Sequence, residues 1–155
     1  MARSYITTQS YHPCPCCGYR VFQVGGINAT CPICVWQDNL EQLLDPYRVC
    51  EPNWISLYEA QLSFLRCGVS QIEKAELAST PVFYDVRDIK WRPIQNSDSF
   101  GTVERRSSLK VDDYRELFYW LDDFWNSKHT YMRRLQVSAL FETNKSSNDF
   151  ALSSI

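Results

Sequence analysis

Cys14-Pro-Cys-Cys17-Gly18 and Cys31-Pro-Ile-Cys34-Val35 decide how this chain folds. Each stretch holds a Cys-x-x-Cys pair, and 13 residues separate Cys17 from Cys31. One such pair makes a tight knuckle that presents two sulfurs to one centre. Two knuckles supply the four thiolates that suit tetrahedral zinc, with Zn–S bonds of about 2.3 Å. The spacing therefore assigns Cys14, Cys17, Cys31 and Cys34 to one structural zinc ion. Pro15 and Pro32 fix φ inside the turns. Gly18 gives the first knuckle a permissive backbone at its exit. Val35 holds the equivalent place in the second, where a β-branched residue disfavours positive φ, so that knuckle is expected to be distorted.

The remaining thiols read differently. Cys16 neighbours a ligand, and adjacent residues rarely aim at one centre, so it is a thiol beside the site. His12, two residues before Cys14, reads as a packing group. Cys50 and Cys67 read as small buried hydrophobes. A redox Cys-x-x-Cys needs a βαβ setting that this sequence lacks.

Outward from the knuckles, Tyr19-Arg-Val-Phe-Gln-Val24 alternates, and Gly25-Gly26 then leads to Ile27-Asn-Ala-Thr30. That pattern predicts a hairpin turning at the glycines, which would bring the knuckles together. Ser56-Leu-Tyr-Glu59 is a capping-box pattern opening a helix. Leu57, Ala60, Phe64 and Cys67 recur along it, and Gly68 stands where a helix ends on a left-handed residue. Residues 82–94 read as extended, 96–108 as a loop, and a second helix begins near Asp112. The fold class is α+β: a zinc-knuckle hairpin module over residues 1–76, a helical and extended part over 77–142, and a mobile tail over 143–155.

Composition narrows the function. The 155 residues are 45% hydrophobic and 14% aromatic, which excludes wholesale disorder. The formal charge is −2. Residues 1–35 carry +2, residues 36–80 carry −4 from seven acids against three bases, and the rest balances. A generally basic nucleic-acid binder is excluded, and Arg3 and Arg20 with Tyr5, Tyr11 and Tyr19 offer only a weak patch. No apolar run reaches the roughly 18 residues of a membrane helix, and no secretory signal opens the chain. The expected compartment is the cytoplasm, where cysteines stay thiols or bind metal.

The order Cys14-Pro-Cys-Cys-Gly18, Cys31-Pro-Ile-Cys-Val-Trp36, Trp36-Gln-Asp-Asn-Leu-Glu-Gln42, Asp45-Pro-Tyr47 and Asn53-Trp-Ile-Ser-Leu-Tyr-Glu-Ala60 closely resembles the bacterial cysteine-rich CPCC family. The resemblance covers about residues 11–75. It departs at Val35, where glycine is usual, and at Gln37, where an acid is usual. It implies a small zinc-binding bacterial protein, similar in genomic setting to some immunity partners of toxins.

No catalytic set assembles. A four-sulfur zinc is closed, whereas catalytic zinc keeps a position for water. His12 and His129 are the only histidines, and His129 reads as a surface residue. The pairs Asp112–Asp113 and Asp122–Asp123 read as a solvated face, and Asp38 and Asp45 as packing or capping acids. On a helical wheel Tyr114, Leu117, Phe118, Leu121, Phe124 and Trp125 form one apolar stripe, expected to be core. Tyr119 falls opposite, near Asp112, Glu116 and Asp123. An acidic face with an exposed tyrosine suits a basic protein partner. The sequence thus points to a non-enzymatic binding protein with a protein partner, a bacterial toxin being the most specific expectation. The alternative is a zinc-ribbon nucleic-acid binder or regulator.

Overall fold

The computed structural model describes residues 11–100 and 114–126. Strand β1 (His12–Pro13) pairs antiparallel with β2 (Arg20–Phe22). Among the described residues three α-helices follow: α1 (Leu40–Leu44), α2 (Leu57–Cys67) and α3 (Asp122–Asn126). Among the same residues, 3-10 segments lie at Ile72–Leu77 and Tyr114–Leu117. The mixed α+β class expected from the sequence is what the chain adopts.

The hairpin does not turn where the glycines predicted. β1 and β2 flank the first knuckle, so the Cys14–Cys17 turn itself joins the strands. The second knuckle is flanked by a single antiparallel bridge, Thr30 to Gln37. The physical reason is that each knuckle closes with its own backbone bonds and starts pairing at its own ends. Gly25 and Gly26 serve close approach instead. A Cβ on Gly25 would fall 2.2 Å from the Tyr114 ring, and one on Gly26 would fall 2.8 Å from Leu40.

Helix α2 forms as its signals require. The Ser56 hydroxyl accepts from the Glu59 amide at 3.1 Å, and the Glu59 carboxylate accepts from the Ser56 amide at 3.1 Å. Those reciprocal bonds satisfy two donors that the helix start leaves open. Gly68 ends the helix at φ +77°. Leu57 and Ala60 are wholly buried. Cys67 is exposed and Cys50 half-buried, which corrects the expectation of two buried thiols. Cys67 lies in the last turn of α2, beyond the packed face, where its thiol donates to the Ser63 carbonyl.

Residues 82–94 are not a strand. They run irregularly along the first knuckle, with one bridge between Tyr19 and Arg87. The Arg20 amide donates to Val86, and the Asp88 amide donates to Gly18. The core gathers the knuckle cysteines with Phe22, Ile33, Trp36, Leu43, Leu57, Ile94, Phe100 and the segment Leu117–Trp120.

The aromatic helix is interrupted. A 3-10 turn over Tyr114–Leu117 gives way to turns before α3 begins at Asp122. Leu117, Phe118, Tyr119 and Trp120 are all buried, which one face of a continuous helix cannot achieve. The expected stripe is core: Leu117, Phe118 and Phe124 are buried, and Tyr114, Leu121 and Trp125 pack on them. Asp112, Asp113 and His129, with the expected tail over 143–155, lie outside the described residues, as do Arg3, Tyr5 and most of the loop expected over 96–108. Among the described residues no helix is long and apolar enough to cross a membrane.

Candidate metal centre

The two knuckles are built to one pattern. In the first, the Gly18 amide donates to the Cys14 carbonyl at 2.7 Å, and the Cys14 amide donates to Tyr19 at 2.8 Å. In the second, the Val35 amide donates to the Cys31 carbonyl at 2.9 Å, and the Cys31 amide donates to Trp36 at 2.7 Å. Gly18 takes φ +79° and Val35 takes φ +64°. The second knuckle is therefore not distorted. Val35 adopts the left-handed backbone that its side chain disfavours, and the turn keeps its shape.

This symmetry brings the four sulfurs together. The Sγ atoms of Cys14, Cys17, Cys31 and Cys34 all lie within 4.8 Å of one another. Cys14 and Cys34 are 3.6 Å apart, and Cys17 and Cys31 are 3.7 Å apart. A tetrahedral ion with metal–sulfur bonds of about 2.3 Å holds its ligands about 3.8 Å from each other. The donor set fits such an ion in number, kind and spacing. All four side chains are inaccessible to solvent.

Electrostatics point the same way. Burial pushes the Cys14 and Cys34 thiols well up. Burial also works to raise Cys31, but hydrogen bonds from Cys14, Cys17 and Cys34 outweigh it and hold Cys31 well down. Four thiolates side by side in a dry interior need a bound positive charge.

Cys16 is buried, and burial raises its thiol; a hydrogen bond with Cys34 works in the opposite direction. It sits against a ligand rather than among the four. His12 packs edge-on to Tyr114 and Phe118, with ring centroids 5.2 and 6.3 Å away. Asp38 is buried; its carboxylate accepts from the Gly26 amide and the Tyr114 hydroxyl. Burial raises its pKa in spite of those bonds. Asp45 caps the end of α1. Arg20 donates to the Tyr11 carbonyl and pairs with Asp88 at 3.2 Å, and Tyr19 lies under the Arg87 guanidinium.

The acidic tyrosine face is not formed. Tyr119 is wholly buried; its hydroxyl donates to the Arg92 carbonyl and accepts from the Gln61 side-chain amide at 2.8 Å. The break before α3 turns Tyr119 inward and leaves Glu116 half-buried and Asp123 exposed on separate segments. The wheel assumed one continuous helix, and the chain does not supply it.

Three buried amides escaped the sequence reading. Gln61, on α2, donates to the Pro15 carbonyl inside the first knuckle at 2.8 Å and accepts from the Ile94 amide at 2.8 Å. Gln42 and Asn53 bond each other at 2.8 Å and tie α1 to the loop before α2. Trp91 and Arg87 brace the first knuckle through the Pro15 and Cys17 carbonyls. Only the capping signal of α2 hinted at any of this, since it fixes the face on which Gln61 lies.

The family model described as cysteine-rich CPCC matches residues 12–83, a stretch that contains all seven cysteines. No curated protein matches the chain. No solved structure matches it either.

Proposed function

We propose, for a chain whose residues 12–83 match the cysteine-rich CPCC family, a non-enzymatic binding protein whose N-terminal module is held by zinc. Cys14, Cys17, Cys31 and Cys34 would hold the ion. Zinc would supply a cross-link between the knuckles, since four sulfur ligands complete its tetrahedral shell. The observation that carries the reading is the closed, solvent-excluded set of four sulfurs. Such a set offers substrate neither a coordination position nor access. The buried acid nearest in sequence, Asp38, is committed to Gly26 and Tyr114.

The partner we propose is another protein, and at its most specific a bacterial toxin that this cytoplasmic chain neutralises as an immunity protein. The −4 charge of residues 36–80 favours a basic protein over nucleic acid. Arg20 and Tyr19, candidates for a nucleic-acid patch, are engaged in internal contacts.

Two measurements test this. Elemental analysis of the purified chain is expected to give one zinc per molecule, and a zinc-free chain of full stability would overturn the metal assignment. Co-expression with the product of the gene immediately upstream is expected to relieve its toxicity. A harmless upstream product that forms no complex would overturn the immunity reading. Sub-micromolar binding to DNA or RNA that weakens steeply with salt would favour the zinc-ribbon regulator.

A further inference from the structure

We propose that the open pocket beside Trp54 is the docking surface for a basic segment of the partner protein; this rests on the reading of the chain as a protein-binding module. The pocket has a volume of about 610 Å³. Trp54 and Val49 supply its apolar part, and Glu41 and Glu51 its carboxylates.

Trp54 is 69% exposed, and its backbone sits at φ +57°. A bulky side chain in that conformation costs stability, and an indole so largely in water returns little of it by burial. The strain persists because its neighbour is locked. Asn53 is 2% exposed. Its side chain accepts from the Gln37 amide at 3.0 Å and donates to the Gln37 carbonyl and to Gln42, both at 2.8 Å. Its carbonyl accepts from Gln71. The Trp54 amide itself donates to Cys50 at 2.9 Å. Another lining residue, Asn28, is also held at φ +58°. A rigid backbone thus presents a large aromatic ring to solvent. Little ordering is then left for binding, which is what an anchor residue needs.

Charge chooses the occupant. Among the lining residues Arg48 is the one cation, and its guanidinium lies 3.5 Å from Glu41. Residues 36–80, which include these lining carboxylates and Arg48, carry a net −4. An arginine or lysine laid on the indole face gains a cation–π contact, with Glu51 beside it and Val49 for an apolar neighbour.

Selection of random dodecapeptides on the full zinc-loaded chain tests the assignment. Recovered peptides are synthesised and titrated into the parent and into Trp54→Ala, Trp54→Phe and Glu51→Lys. The expected peptides carry net positive charge with an apolar residue. Trp54→Ala is expected to weaken them at least about thirtyfold, Trp54→Phe far less, and Glu51→Lys by slowing association in a salt-dependent way. Thermal melts of all three should match the parent, because neither side chain supports the core. Recovery of no basic peptide whose binding depends on Trp54 overturns the proposal. A toxin that binds Trp54→Ala like the parent overturns this surface while the immunity reading stands. Trp54-dependent peptide binding without toxin relief does the reverse.

Discussion

Val35 occupies in the second knuckle the place that Gly18 occupies in the first, and both carry a left-handed backbone, at φ +64° and φ +79°. Their surroundings differ. A Cβ on Gly18 would fall 2.6 Å from the Trp91 ring, whereas the second knuckle has room for the valine, which is nearly buried. Gly18→Ala should therefore cost about 3 kcal/mol or more, since it strains φ and displaces Trp91 from its bond to Pro15. Val35→Gly should change stability by less than about 1 kcal/mol. Relief of the left-handed conformation returns roughly 1–2 kcal/mol, which offsets the lost burial. Denaturant unfolding of the metal-loaded chain measures both.

The cysteine cluster should act as a unit. Cys14→Ser, Cys17→Ser, Cys31→Ser and Cys34→Ser should each abolish cooperative unfolding of the N-terminal module, because metal binding and folding share one free energy there. Cys16→Ser should retain the metal, since Cys16 is not one of the four clustered ligands. Chelation followed by near-ultraviolet circular dichroism should show loss of fixed aromatic packing around Trp36 and Phe22, which belong to the same core. A chain that keeps that signal after complete chelation would show the four sulfurs to be ordinary core thiols.

The cluster was legible because ligand spacing is a local property of sequence. So was α2, whose capping box and Gly68 are local signals. The hairpin was misplaced because paired glycines mark permissive backbone without saying what uses it. Here Tyr114 and Leu40 crowd against them. Tyr119 was misplaced because a helical wheel extrapolates from uninterrupted geometry, and the chain breaks between Leu117 and Asp122. The roles of Gln42, Asn53 and Gln61 could not be read, since each bonds at least one backbone carbonyl that tertiary structure alone delivers.

Arg92 and Asp98 predict an acid-sensitive contact. The Arg92 guanidinium donates two bonds to Asp98, at 2.7 and 2.8 Å, and the Gln95 amide donates a third. Burial works to raise the Asp98 carboxyl, but those bonds outweigh it and hold its pKa below the usual carboxylate value. A carboxyl whose folded pKa is depressed contributes stability above the unfolded value of about 3.9 and loses it as pH falls through the folded one. Arg92 is part exposed, so screening limits the contribution to about 1 kcal/mol. Asp98→Asn should lower stability near neutrality and flatten its fall below about pH 4. The parent and the variant losing stability in parallel between pH 4 and pH 2 would assign the acid loss to other groups.

Gln61 joins α2 to the first knuckle, and its substitutions separate lost hydrogen bonds from buried charge. The side-chain nitrogen donates to the Pro15 carbonyl and the Tyr119 hydroxyl, and the oxygen accepts from the Ile94 amide. All four residues are buried. Gln61→Leu removes the donors and leaves the Ile94 amide unsatisfied, a loss of about 2–3 kcal/mol that pH should not alter. Gln61→Glu keeps the size and the bond from Ile94, but an ionised carboxylate has no hydrogen to donate. Its oxygen would face the Pro15 carbonyl, so near neutral pH the loss should exceed about 3 kcal/mol. Protonation restores one donor, so the folded pKa of that carboxyl must lie above the unfolded value of about 4.3. Its stabilising state is therefore fully present below that unfolded value and is lost as pH rises through the raised folded one. Gln61→Glu should approach the parent in mild acid and fall away from it toward neutrality, while Gln61→Leu keeps a constant deficit. Tyr119→Phe, which removes only the hydroxyl, should cost about 1–2 kcal/mol on its own. Its cost should shrink in the Gln61→Leu background, where the hydroxyl has already lost that partner. Strictly additive losses would mean that Tyr119 and Gln61 do not share the bond.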